Sequence, residues 1–96
     1  MKNFQDKIVW ITGASAGIGE EMARQLNQKG ATIILSARRK DALEKVQQSL
    51  PFPAKSYVLI IDMEAPDTFT EKVNEVIQKF GKVDLLFLNA GISQRS

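Results

Sequence analysis

Apolar residues along this chain follow two alternating rhythms. Short, nearly unbroken apolar runs occur at KIVWIT (7–12), ATIILSA (31–37), KSYVLIID (55–62) and VDLLFLNAG (83–91). Runs of this length suit strands buried on both faces, as in a parallel sheet. Between them, apolar positions recur every third or fourth residue. Ile18, Met22, Ala23 and Leu26 fall on one helical face, and Gly30 supplies a C-terminal stop. Leu43, Val46 and Leu50 repeat at helical spacing, and Pro51 ends that helix. A third helix is expected to open at Pro66 and Asp67, residue types suited to a helix start. It carries Phe69, Val73, Val76, Ile77 and Phe80 on one stripe and closes at Gly81.

The predicted order is β-α-β-α-β-α-β. Strands alternating with helices of this length pair in parallel through right-handed crossovers. The expected architecture is an α/β, Rossmann-type doubly wound parallel sheet of about four strands in the order 3-2-1-4, with three helices. In that order strands 1 and 4 flank the switch point, and ligands bind at the strand C-terminal ends. The glycine-bearing segments 13–19 and 89–91 both fall at that edge. The fourth run is apolar throughout at LLFL (85–88). It would nevertheless lie at the sheet edge, exposing backbone and apolar side chains.

Composition narrows the chemistry. The chain has 96 residues, 44% hydrophobic and 25% charged, with a net charge of +2. These values suit one ordinary globular domain. The basic residues are scattered, which argues against a nucleic-acid surface. With no cysteine there is no disulfide or thiolate metal site, and with no histidine the commonest metal ligand and general base are missing. No metal site is expected. The N-terminal MKNFQDKIVWITG lacks a long apolar stretch, so no signal peptide, membrane span or membrane partner is expected, and a cytoplasmic location is the default.

The sharpest local feature is TGASAGIG (12–19). A phosphate needs hydrogen-bond donors and a positive field, and a helix N-terminus offers both. For a diphosphate to come close, side chains must be absent. Gly13 allows a tight turn out of the strand. Gly17 and Gly19 let the backbone approach a ligand and the helix pack on the sheet. Ser15 can add a hydroxyl donor. A Walker-type loop is excluded, because no Gly-Lys-Ser/Thr follows. Glycines in such a turn can also serve the turn alone. Their place between a strand and a helix is what the dinucleotide mechanism requires.

TGASAGIG (12–19), Asp62 at the end of the third run, and NAG (89–91) together resemble the cofactor motifs of the short-chain dehydrogenase/reductase family. The resemblance covers essentially the whole chain. It implies a nicotinamide dinucleotide held by Gly13, Ser15, Gly17, Ile18 and Gly19. It also implies that Asp62 accepts from the adenine amino group beside the Met63 backbone, and that Asn89, Ala90 and Gly91 line the ribose side. Asp62 can equally cap a strand end, and Asn89 can equally tie strands 1 and 4 together. The second strand ends in LSARRK, with no carboxylate to hold a ribose 2′-hydroxyl. Arg38 and Arg39 follow, and a guanidinium fork suits a 2′-phosphate. This pattern points to NADP (NADPH), with Arg38 as the phosphate contact and Arg39 stacking on adenine. The alternative is that both are solvated residues at a helix start.

In the family, a hydride moves between the nicotinamide and a carbonyl or alcohol substrate, with a tyrosine, a lysine four residues later and a serine as catalysts. None of these maps here. The single tyrosine, Tyr57, is followed four residues on by Ile61, and Ser93 and Ser96 come too early. No catalytic residue is therefore assigned. The resemblance implies that residues 1–96 are the nucleotide-binding half of a larger domain, a fragment or truncated product, inactive alone and drawn from a homo-oligomeric enzyme. A non-catalytic NADP(H)-binding module, or a fragment stable only by self-association, are the alternatives.

Overall fold

The apolar runs lie side by side. The computed structural model describes residues 4–15, 17–62 and 66–88. Strand β1 (Ile8–Thr12), helix α1 (Gly17–Gln28), β2 (Thr32–Ala37), α2 (Lys40–Ser49), β3 (Ser56–Ile60), α3 (Pro66–Phe80) and β4 (Leu85–Leu88) follow in that order. The strands form one sheet ordered β3-β2-β1-β4, and every pairing is parallel. The expected architecture and strand order are the observed ones. The sequence reading did not foresee the 3-10 turn at Pro53–Lys55 that leads into β3.

Alternation along the strands divides the core in two. Val9, Ile11, Ile33 and Leu35 face α1 and α2, where they meet Ala23, Leu26, Leu43 and Val46. Trp10, Ile34, Leu59 and Ile61 face α3 and meet Val76, with Phe69, Val73 and Phe80 packed around them. Because β1 and β2 are covered on both faces, their side chains bury whichever way they point. That is why the runs read as continuous rather than alternating. Each fully buried aliphatic side chain contributes roughly 1.5–3 kcal/mol relative to exposure. The centre of the sheet, rather than its rims, therefore holds the fold together.

Among the described residues, β4 has a paired neighbour on one side only. Leu85, Leu86 and Leu88 are 37%, 42% and 63% exposed, as an apolar edge strand would be. Its start is pinned to β1. The Ile8 backbone N–H donates to the Asp84 carboxylate at 2.8 Å, and the Asp84 N–H donates to the Ile8 carbonyl at 2.8 Å. Below the sheet, the buried Asn27 clamps the connection between α2 and β3. It accepts from the Phe52 N–H at 2.7 Å and donates to the Phe52 and Lys55 carbonyls at 3.2 Å each.

The expected apolar face of α1 needs one correction. Ala23 and Leu26 are buried and Met22 is half-buried, but Ile18 is 75% exposed. Ile18 sits in the first turn of α1, next to the glycine turn, and belongs to neither core cluster. Helical periodicity puts it on the right face, but that face has the sheet beneath it only farther along the helix.

Candidate functional site

β1 delivers the chain into its glycine turn through a residue that is itself locked. Thr12 is buried, and its hydroxyl donates to the Phe87 carbonyl of β4 at 3.2 Å. Gly13 then takes φ +67° and Gly17 φ +64°. Both lie in the left-handed region that a side chain disfavours. Between them, Ala14 is buried and its N–H donates to the Ser36 carbonyl at 3.1 Å, so the turn is tied to β2. Ser15 is half-buried and Gly19 is buried within α1.

The turn is open beside Gly17. A Cβ placed on Gly17 would meet no described atom within 4 Å. The glycine therefore does not serve close packing against the protein. It leaves an opening at the N-terminus of a 12-residue helix, whose first amide groups have no partner within the helix. Glu20 stands in that first turn but is paired with Arg24 at 2.8 Å, which draws its charge down the helix.

The neighbouring strand ends bring the other expected residues to the same edge of the sheet. β2 ends at Ala37, and Arg38 and Arg39 follow, both exposed. The Ile61 N–H donates to the Ala37 carbonyl at 3.0 Å, which extends the contact between β2 and β3 past the last strand residue of β3. Asp62 follows, exposed. The glycine turn, the arginine pair and Asp62 thus leave the C-terminal ends of three adjacent strands, which is where doubly wound sheets bind ligands. Met63, Asn89, Ala90 and Gly91 lie outside the described residues.

Two features of the site were not anticipated from sequence. Arg39 caps α2 with its backbone, and its guanidinium donates to the Asp41 carboxylate at 3.4 Å. That contact, with the Ala42 N–H, lowers the Asp41 pKa below its ordinary value of 3.8. The helix start is therefore less uniformly basic than ARRK suggests. Ser36 is the second feature. It is fully buried, and its hydroxyl accepts from the Trp10 indole N–H at 2.8 Å. A lone serine in an apolar run was the available signal.

Tyr57 is placed away from this edge. It lies on β3 beneath α3, donates to Glu75 at 3.0 Å, and has the Lys79 ammonium 5.0 Å from its ring centre. The bond to Glu75 and partial burial raise its pKa above 10.0. Among the described residues, no cluster of metal-ligating side chains is present, and no helix is long and apolar enough to cross a membrane.

Comparison with known proteins agrees with this geometry. The chain is 42% identical over 96 residues to an uncharacterized oxidoreductase of Staphylococcus saprophyticus, covering 100% of this chain and 39% of that protein. It is 42% identical to dehydrogenase/reductase SDR family member 7 of Mus musculus, covering 95% of this chain and 28% of that protein. Among solved structures, an NAD+-bound xylitol dehydrogenase superposes with a TM-score of 0.81 at 30% identity, over 88% of this chain and 33% of that one. The chain therefore spans well under half the length of these relatives. The family model for short chain dehydrogenases matches residues 7–96, so the chain belongs to the short chain dehydrogenase family.

Proposed function

We propose that this chain is the nucleotide-binding portion of an NADP-dependent oxidoreductase acting on a small carbonyl or alcohol substrate. The observation that carries this reading is the turn from Gly13 to Gly19. It combines two left-handed glycines, an opening beside Gly17 and a helix N-terminus at the end of a central parallel strand. The turn and the first amides of α1 receive the diphosphate. Ser15 adds a hydroxyl donor, and the exposed Ile18 offers an apolar contact. Arg38 pairs with the 2′-phosphate, while Arg39, shared with Asp41, stacks on adenine. Asp62 accepts from the adenine amino group. Met63, Asn89, Ala90 and Gly91 complete the set by family resemblance.

The bound coenzyme supplies the hydride donor or acceptor. The chain's own residues bind and orient it, and none is assigned an acid or base role. The single tyrosine is engaged with Glu75, so we expect the 96-residue chain to turn over no substrate. The xylitol dehydrogenase neighbour was solved with NAD+. The preference for NADP rests on Arg38 and Arg39 standing where an NAD enzyme carries an acid.

Calorimetric titration with NADPH and NADH tests both parts. The chain is expected to bind NADPH more tightly. Arg38→Asp removes charge-assisted bonds worth about 1.5–3 kcal/mol, so NADPH affinity should fall roughly 10- to 150-fold, with a smaller loss for NADH. Equal losses refute the NADP assignment, and heat from neither nucleotide refutes the dinucleotide reading. The exposed Leu85, Leu86 and Leu88 support a second reading, a chain that is stable through self-association. Concentration-dependent sedimentation that ignores NADPH would select it.

A further inference from the structure

We propose that Ser36 is a positioning residue, braced by Trp10, that sets the glycine turn relative to the arginine pair. Ser36 is fully buried and Trp10 is 2% exposed. The indole N–H of Trp10 donates to the Ser36 hydroxyl at 2.8 Å, and the Ser36 carbonyl accepts from the Ala14 N–H at 3.1 Å. One residue of β2 thus grips β1 through its side chain and the glycine turn through its backbone. Two positions later the chain reaches Arg38. A displacement of Ser36 therefore moves the opening beside Gly17 and the guanidinium groups against each other.

The pairing is built rather than incidental. A tryptophan in the middle of a central strand buries a polar N–H, which must find an acceptor there. The register aligns Thr12 with Ser36 and Trp10 with Ile34, so the indole and the hydroxyl share the face toward α3. Phe69 stacks on the indole at 5.8 Å with 25° between the rings, which restrains it from the far side. Serine is small enough to leave room for the indole, and its hydroxyl satisfies it. With both groups out of water, the bond restricts Ser36 at the last turn of the strand ladder before the site.

This inference rests on the glycine turn being the dinucleotide cradle, and the experiment separates the two. Trp10→Phe keeps the ring stack and removes the donor. Ser36→Ala removes the acceptor. Both variants and their combination are titrated with NADPH, and amide exchange is followed at Ala14 and at Thr32. Thr32 donates to the Lys7 carbonyl at 2.9 Å, at the opposite end of the same two strands. Each single variant is expected to lose roughly 3- to 10-fold in NADPH affinity, with the double variant no weaker than the worse single. Protection at Ala14 should fall by about tenfold while Thr32 is nearly unchanged, because the opening is local. Parallel loss at both amides, or unchanged NADPH affinity in the folded variants, overturns the proposal. If the unaltered chain binds no NADPH, the dinucleotide reading fails, and the exchange comparison alone decides whether Ser36 holds the turn. Should Ser36→Ala fail to fold, Trp10→Phe carries both measurements.

Discussion

Gly17 and Gly81 offer a matched pair of substitutions that separates backbone strain from ligand binding. Both have left-handed backbones, φ +64° and φ +82°, and at both a new Cβ meets no described atom within 4 Å. Gly81 ends α3, where its N–H donates to the Ile77 carbonyl at 2.8 Å. Gly17 opens α1 at the turn. Gly→Ala at either site therefore adds the same strain, about 1–2 kcal/mol, without a packing clash. In a domain of this size about 1 kcal/mol lowers the melting temperature by roughly 4–8 °C. The two variants should be destabilised alike. Their affinities should differ. On the proposed reading, the Gly17 methyl enters the opening through which a diphosphate would reach the amides of α1. Losing one charge-assisted bond there costs about 1.5–3 kcal/mol, or roughly 10- to 150-fold in the NADPH dissociation constant. Gly81→Ala should bind within about twofold of the unaltered chain, since neither strain nor packing at that helix end touches the turn. Thermal unfolding followed by circular dichroism gives the first quantity. Calorimetric titration at a temperature where both variants are folded gives the second. Equal affinities for the two variants would refute the assignment of the turn as a phosphate cradle, whatever their stabilities.

Two further outcomes test the scaffold that holds this turn. Ile34→Ala empties a fully buried position between β1 and β3 and should cost about 2–5 kcal/mol in urea unfolding. A loss below about 1 kcal/mol would show that the core on the α3 face closes over the gap. Asp84 has its carboxyl pKa held below the ordinary 3.8, chiefly by the hydrogen bond from the Ile8 N–H and with help from Lys82 and Lys7. Because the folded pKa is the lower one, its contribution is fully present above the unfolded value and is lost as pH falls through the folded value. The urea midpoint should therefore drop on acidification below about pH 5, and Asp84→Asn should flatten that decline. Parallel acid limbs for the two proteins would remove Asp84 from the account.

The features legible in the chain were those decided by near neighbours. Glycine and proline punctuation, the continuous runs KIVWIT and ATIILSA, and the apolar stripe of α3 each report on a few consecutive residues. From them followed the parallel sheet, its strand order and the edge at which Gly13, Gly17, Arg38 and Asp62 gather. Ile18 shows the limit of that reasoning. Its spacing matches Met22 and Leu26, yet it is exposed, because periodicity names a face and not what lies beneath it.

The chain by itself determined the elements, their order and the residue types at the candidate site, because backbone preferences and apolar patterning act locally and survive in any arrangement. Only the tertiary structure decided that Trp10 pairs with Ser36, that Ser36 anchors Ala14, and that Thr12 is fastened to β4. Those contacts join residues 22 to 75 positions apart. They exist only once parallel register has set β1 between β2 and β4, and no local rule encodes which hydroxyl then faces which donor.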